Sequence, residues 1–380
     1  MKIVADENIP FVKEAFEKLG EVATYPGRDI NSLAVKEADI LLVRSVTGVD
    51  EHLLSGSKIR FVATATIGCD HVDTDYLRKR KIEFASATGC NANSVAEYMV
   101  AALLILARRH EFSLSEKTIG VVGVGNVGSL VVEKAGILGM NILQNDPPLE
   151  RRTGEGRFLP MEELLEKSDI LTLHVPLAYE GQDATYHMAD NALLEKMKRG
   201  SFLINTSRGA VVDTLALLKA LKQNTLKGAV VDVWEGEPEI SEELLREVDL
   251  GTPHIAGYSL DGKANATVLI YQATCHFLNV TYDWKLPGLS PPPCPEINID
   301  ARRENDAEIL SQVVGRAYDL ERDDRALREI LKIPSPQRKK VFDQLRSEYP
   351  IRREFNSIEV NIKGGNETIK NKLRSLAFQV

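Results

Sequence analysis

Ile119-Gly120-Val121-Val122-Gly123-Val124-Gly125-Asn126-Val127-Gly128 is the stretch that decides the fold. Its first four residues read as a buried strand. The glycines after them fit GxGxxG, and Val131, Val132, Ala135 and Leu138 then recur at helical spacing. GxGxxG alone is a weak signal, but set between a strand and a helix it is the phosphate-binding turn of a doubly wound sheet. Gly123, Gly125 and Gly128 let the backbone approach a pyrophosphate, and the free N–H groups at the helix start (Asn126, Val127) bind its charge. An acidic residue is expected roughly twenty positions further on, to accept from ribose hydroxyls. Asp146 stands there, after Asn141-Ile142-Leu143-Gln144-Asn145. Its charge repels a 2′-phosphate, so the pattern predicts NAD rather than NADP. The plainer alternative is a glycine turn packing a helix, with a surface aspartate nearby.

Reading outward, short apolar runs alternate with helical patterns on both sides, the rhythm of parallel α/β sheets. On the N-terminal side Lys2–Ala5, Ile40–Ser45, Phe61–Thr66 and Glu83–Ala87 read as strands, and Pro10–Leu19 reads as a helix. Ser94 and Glu97 have capping-box spacing and predict a helix that starts there and runs to about Arg109. On the C-terminal side Asn141–Asp146, Ile170–Val175, Phe202–Thr206 and Ala229–Val233 read as strands. Met161–Lys167, Asn191–Lys198 and Thr214–Lys222 read as helices between them. Leu286–Pro295 holds five prolines in ten residues, an extended and semi-rigid connector. Beyond it Glu296–Ile299 and Ile358–Ile362 look like strands, and Asp306–Asp319, Gln337–Ser347 and Thr368–Leu376 look like helices. The expected class is α/β: two doubly wound parallel sheets plus a small C-terminal α+β region.

With 380 residues the chain is long enough for two to three domains, and its 43% hydrophobic and 27% charged content is that of a globular protein. A net charge of −8 without a long basic run argues against nucleic-acid binding. Cys69, Cys90, Cys275 and Cys294 form no CxxC pair, which fits reduced thiols in a cytosol. Cys69 and His71 have no second ligand cluster, so no metal site is expected. The start, Met1-Lys2-Ile3-Val4-Ala5-Asp6-Glu7, is not a signal peptide. The longest apolar run, Met99 to Ala107, is too short to span a bilayer, which takes about 20 residues.

Three later segments each end a strand-like run with polar residues, where open α/β sheets place ligands. They are Asn205-Thr206-Ser207-Arg208-Gly209, Asp232-Val233-Trp234-Glu235-Gly236-Glu237-Pro238 and Thr252-Pro253-His254-Ile255-Ala256-Gly257-Tyr258. Oxidising a secondary alcohol with NAD calls for a base on the hydroxyl proton and a cation near the developing carbonyl oxygen. Histidine suits the base, with a reference pKa of ~6.5. A carboxylate orients its ring, and an arginine can hold a substrate carboxylate and the reacting oxygen together. His254, Glu237 and Arg208 fit those roles. Taken singly, each is as well explained by a salt bridge, a cap or a satisfied core histidine.

Together GVVGVGNVG, HVPL (His174–Leu177), INTSRGAVVD (Ile204–Asp213), DVWEGEP (Asp232–Pro238) and TPHIAGYS (Thr252–Ser259) resemble the D-isomer-specific 2-hydroxyacid dehydrogenase family over residues 1–284. The resemblance implies a catalytic set of Arg208, Glu237 and His254. It implies NAD contacts at Gly125–Val127, Asp146, Val175, Thr206, Ser207, Arg208, Asp232 and Gly257. Val175 can offer only apolar or main-chain contacts. It also implies a discontinuous substrate domain (1–94 and 257–284), a Rossmann NAD domain (95–256), and a cleft that closes over the reactants.

A narrower resemblance rests on ADENIP (Ala5–Pro10), LLVRSVT (Leu41–Thr47), TATIGCDHVD (Thr64–Asp73) and a tail carrying DDRALR and RREF. It points to a branch of that family acting on 4-phospho-D-erythronate, on the route to pyridoxal 5′-phosphate. It implies substrate contacts at Ser45, Thr66 and Tyr258, a connector at 285–295, and a homodimer formed through 296–380, in the cytoplasm. Arg44-Ser45 after a strand suits a phosphate, or is a plain surface arginine with a turn serine. Thr66-Ile67-Gly68 can offer N–H groups to a carboxylate, or simply end a strand. Arg352-Arg353 reads by default as a solvated basic pair. Two other readings stay open: a dehydrogenase of another acid, such as 3-phosphoglycerate or D-lactate, and an NAD-sensing interaction protein on the same fold.

Overall fold

The computed structural model describes residues 1–303, 305–364 and 367–380. The chain divides into two compact units: Met1–Asn91 with Ser259–Ser290, and Ala92–Tyr258 with Pro291–Val380.

The first unit is a five-stranded parallel sheet in the order β2-β1-β3-β4-β5. The strands are β1 (Lys2–Asp6), β2 (Glu21–Tyr25), β3 (Ile40–Val43), β4 (Phe61–Thr64) and β5 (Glu83–Ser86). β3 and β4 are buried at every position, as the apolar runs Ile40–Val43 and Phe61–Ala63 require. The long helix Leu260–Leu278 packs on one face through Ala266, Ile270, Tyr271 and Cys275. β2 was not anticipated: it is an edge strand with no fully buried residue, so it carries no apolar run to read.

The second unit holds a six-stranded parallel sheet in the order β11-β10-β9-β8-β6-β7. Its strands are β6 (Thr118–Val122), β7 (Asn141–Asn145), β8 (Ile170–Leu173), β9 (Ser201–Asn205), β10 (Leu226–Val231) and β11 (Leu250–Gly251). In the tail, β12 (Glu296–Asp300) and β13 (Glu359–Lys363) pair in parallel. The proline-rich stretch before them carries neither helix nor strand. Tail residues Ile297, Ile299, Val313, Val314 and Phe355 share one apolar cluster with Val95, Met99, Leu103 and Leu106 of the helix Ala92–Arg109. Among the described residues no helix is long and apolar enough to cross a membrane.

Three tail contacts differ from the sequence reading. Ser94 and Glu97 do not form a capping box, because the helix begins at Ala92 and both side chains turn toward the tail. Ser94 Oγ donates to Glu354 (2.6 Å), and Glu97 Oε1 accepts from the Phe355 N–H (2.8 Å) and Asn93 (3.1 Å). Arg352 is not a solvated arginine: it is 7% exposed, donates to the Ser94 carbonyl (2.9 Å) and lies 4.2 Å from the Tyr318 ring centre. The helix Leu320–Arg328, also unanticipated, covers the edge of β11, where Asp324 accepts the Gly251 N–H (2.8 Å).

Burial pushes the Glu97 carboxyl up to about 8, with Glu354 adding to the rise and Arg352 opposing it. Its Oε2 has no partner among the described residues, as suits a carboxyl that keeps its proton. The folded state then binds more protons than the unfolded chain between about 4.5 and 8, so this group's contribution to stability falls as pH rises across that window. Glu97→Gln keeps the accepting oxygen without the titration. Thermal melts from pH 5 to 8 should show a shallower loss of Tm in the variant than in the parent. Parallel slopes would mean that Glu97 does not titrate there.

Candidate active site

The glycine turn follows β6, and two of its three glycines have a steric reason within the protein. Gly123 has φ +83°, and a Cβ there would lie 2.9 Å from the His174 carbonyl group. A Cβ on Gly128 would lie 1.9 Å from the Gly123 carbonyl oxygen, so the helix cannot start this close to the turn with any larger residue. A Cβ on Gly125 meets nothing within 4 Å, which leaves this backbone open to an approaching ligand. The helix Asn126–Ile137 begins at Gly125 without a side-chain cap, so its first N–H groups suit an anion.

Asp146 follows β7. Its Oδ2 accepts the Val124 N–H (2.7 Å) and its Oδ1 accepts the Leu149 N–H (2.9 Å), capping the helix Pro147–Thr153. The carboxylate thus ties the glycine turn to the next element. A carboxylate offers about four acceptor sites, so it keeps capacity for ribose hydroxyls. Val175 follows β8 and packs against Gly123. Its neighbour His174 was not singled out from sequence, although it opens HVPL. It is held between Thr172 Oγ1 (3.0 Å) and Thr206 Oγ1 (3.3 Å), and burial pushes its pKa down to about 3, which keeps the ring neutral.

Arg208, Glu237 and His254 lie in the loops after β9, β10 and β11, three neighbouring strands of the parallel sheet. Asn205 builds the first loop: its Oδ1 accepts the Ser207 N–H (3.0 Å) and hydroxyl (2.8 Å), and its Nδ2 donates to the Arg208 carbonyl (3.0 Å). Gly209 is required there, since a Cβ would lie 2.0 Å from the Trp234 carbonyl. In the second loop Glu237 Oε2 accepts the Trp234 N–H (3.1 Å), while Trp234 Nε1 donates to the Thr252 carbonyl (2.8 Å). Asp232 is buried and organises the third loop. It accepts from Thr252 Oγ1 (2.6 Å), Ile255 N–H (2.8 Å) and Ala256 N–H (3.0 Å). Burial raises its carboxyl, against His254 and these donors.

His254 takes a left-handed backbone, φ +56°, and its N–H donates to the Asp232 (2.7 Å) and Thr252 (3.0 Å) carbonyls. This aims Nδ1 at Glu237 Oε1, to which it is hydrogen-bonded. Burial raises the Glu237 carboxyl, but the charge and hydrogen bond of His254 outweigh it and hold it below the usual carboxylate range. Gly257 and Tyr258 follow on the same loop. The Tyr258 N–H donates to the Ile255 carbonyl (2.8 Å), and its ring meets Tyr349 of the tail edge-on at 5.9 Å.

In the other unit, Arg44 and Ser45 follow β3, Arg44 half-buried and Ser45 exposed. Thr66, Ile67 and Gly68 follow β4, and the Thr66 hydroxyl donates to the Gly68 carbonyl (3.0 Å). Lys263, passed over in the sequence, is pushed down to about 8 by burial and by Arg44. Two cations within electrostatic reach suit an anionic ligand.

A glycine turn after one strand, an aspartate after the next and a His–Glu pair at the ends of further parallel strands are the features of a dehydrogenase of hydroxy acids. Residues 100–256 match the model described as D-isomer specific 2-hydroxyacid dehydrogenase, NAD binding domain. Residues 289–376 match a domain of unknown function (DUF3410). Two relatives named erythronate-4-phosphate dehydrogenase extend the match to nearly the whole chain. That of Cronobacter sakazakii is 46% identical over 361 residues, 95% of this chain and 94% of its own length. That of Proteus mirabilis is 43% identical over 378 residues, 100% of this chain and 99% of its own. The chain belongs to the erythronate-4-phosphate dehydrogenase family, within the D-isomer-specific 2-hydroxyacid dehydrogenases. Among solved structures, a D-lactate dehydrogenase from Aquifex aeolicus complexed with NAD and lactic acid matches with TM-score 0.61 and 27% identity, covering 73% of this chain and 96% of its own. An NAD-dependent formate dehydrogenase from Staphylococcus aureus matches with TM-score 0.62 and 25% identity, covering 75% and 97%.

Asp146→Asn keeps an acceptor to cap Leu149 but removes the charge. NAD-linked turnover should weaken and NADP-linked turnover should rise, read as the ratio of kcat/KM for the two cofactors. An unchanged ratio would mean that Asp146 does not read the ribose.

Proposed function

We propose that this chain oxidises 4-phospho-D-erythronate at C2, with NAD, to (R)-3-hydroxy-2-oxo-4-phosphobutanoate, in the synthesis of pyridoxal 5′-phosphate. The observation that carries the reading is the Glu237–His254 pair, set beside the Arg208 loop at the end of a sheet that also carries the glycine turn and Asp146. Bound NAD supplies the acceptor for the C2 hydrogen and its electron pair. Nε2 of His254 takes the C2 hydroxyl proton, since Nδ1 already faces Glu237. The Glu237 carboxylate orients the ring and balances its charge once protonated. Arg208 holds the C1 carboxylate and polarises the C2 oxygen as it becomes a carbonyl. In reverse the same imidazole returns the proton.

The turn at Gly123, Gly125, Asn126, Val127 and Gly128 cradles the pyrophosphate. Val175, Thr206, Ser207, Asp232 and Gly257 line the rest of the NAD site. Thr66, Ile67 and Gly68 take the carboxylate end of the acid, and Arg44, Ser45 and Tyr258 its remainder. Residues 1–94 and 257–284 then serve the substrate, 95–256 serve NAD, 285–295 connect, and 296–380 form a homodimer, in the cytoplasm.

NADH formation from 4-phospho-D-erythronate should exceed that from D-3-phosphoglycerate and D-lactate, with a 2-oxo acid supplied as acceptor in case NADH is retained. No turnover of any hydroxy acid despite tight NAD binding would favour a sensing role instead. His254→Ala should lose roughly 10²–10⁴ in turnover while NAD binding persists. Near-normal rates in that variant would reject the assigned base.

A further inference from the structure

The tail helix Ser335–Ser347 brings a cation to the Glu237 loop. The Arg346 guanidinium carbon stands 5.8 Å from the centre of the Tyr258 ring. It reaches the Tyr258 side chain by a hydrogen bond and Glu237 by charge. Tyr258 is braced from the tail by Tyr349, whose hydroxyl donates to Asp323 (2.6 Å). Both Glu237 oxygens already have donors, Oε1 from His254 and Oε2 from the Trp234 N–H. Arg346 Nε is buried and has no hydrogen-bond partner among the described residues. A buried guanidinium N–H left in this way is costly and favours an incoming acceptor. Arginine's planar fork suits a phosphate best.

The location of Arg346 along the chain points the same way. It lies in the 289–376 match, outside the 100–256 dehydrogenase match. The solved D-lactate and formate dehydrogenases, named for acids without phosphate, are covered over 96% and 97% of their lengths by only 73% and 75% of this chain. In the proposed substrate C3 alone separates the reacting C2 from the carbon that bears the phosphate ester. A cation bordering the Glu237–His254 pair is therefore suited to that group.

We infer that Arg346 is a substrate-binding residue whose guanidinium takes the phosphate of the acid, so that the tail sets the preference for a phosphorylated substrate. This rests on the proposed function.

The test compares Arg346→Met and Arg346→Lys with the parent chain, each checked for an unaltered circular dichroism spectrum. Steady-state constants are measured with 4-phospho-D-erythronate and with D-erythronate. Inorganic phosphate binding to the NAD-loaded protein is measured by calorimetry. Arg346→Met should raise KM for the phosphorylated acid and lower the ratio of kcat/KM, phosphorylated over unphosphorylated, by about tenfold or more. It should weaken phosphate binding by a similar factor, and Arg346→Lys should restore part of both. An equal loss with both acids, or unchanged phosphate binding, would overturn the inference. If the parent chain does not turn over the phosphorylated acid, the proposed substrate fails, and the phosphate arm still decides the role of Arg346.

Discussion

Asp232 follows β10 with its carboxylate turned inward, accepting from the Thr252 hydroxyl and from the N–H groups of Ile255 and Ala256. These bonds fix the loop that carries His254. The left-handed backbone at residue 254 costs on the order of 1–3 kcal/mol when the residue is not glycine. It persists because the His254 N–H is held between the Asp232 and Thr252 carbonyls. The turn delivers Nδ1 to Glu237, whose other oxygen is fixed by Trp234, and Trp234 is fixed in turn by Thr252. The Glu237–His254 pair therefore rests on one connected network of short bonds at the ends of β10 and β11.

The tail belongs to that network. Arg352 reaches the carbonyls of Ser94 and Ala256, Asp324 covers the β11 edge at Gly251, and Tyr349 meets Tyr258. Residues distant along the chain thus brace the same loop from behind. A segment whose apolar residues complete the core around the helix Ala92–Arg109 is built into the unit that holds the Glu237–His254 pair.

What the sequence made legible was local. The strand, glycine turn and helix from Ile119 onward are contiguous, so periodicity and motif agree, and Asp146 lies at the end of the very next strand. Arg208, Glu237 and His254 each close a strand-like run, and a parallel sheet gathers such ends on one edge. What escaped depends on partners far away. Ser94 and Glu97 have the spacing of a capping box, but their partners lie about 260 positions on, at Glu354 and Phe355. Nor does DDRALR say by itself that Asp323 and Asp324 are buried against Tyr349, Gly251 and Arg328. β2 is half-exposed and β11 is two residues long, so neither leaves an apolar run. Arg346 gave no signal, since nothing in its own helix says which loop it faces.

Oxidation by this family moves hydrogen directly from C2 of the acid to the nicotinamide, with the hydroxyl proton passing to the protein. Single-turnover reaction with 4-phospho-D-erythronate deuterated at C2, followed by mass analysis of the reduced cofactor, tests it most directly. One deuterium on the nicotinamide ring and none released is the expected result. Deuterium appearing in water, with the cofactor unlabelled, would contradict it.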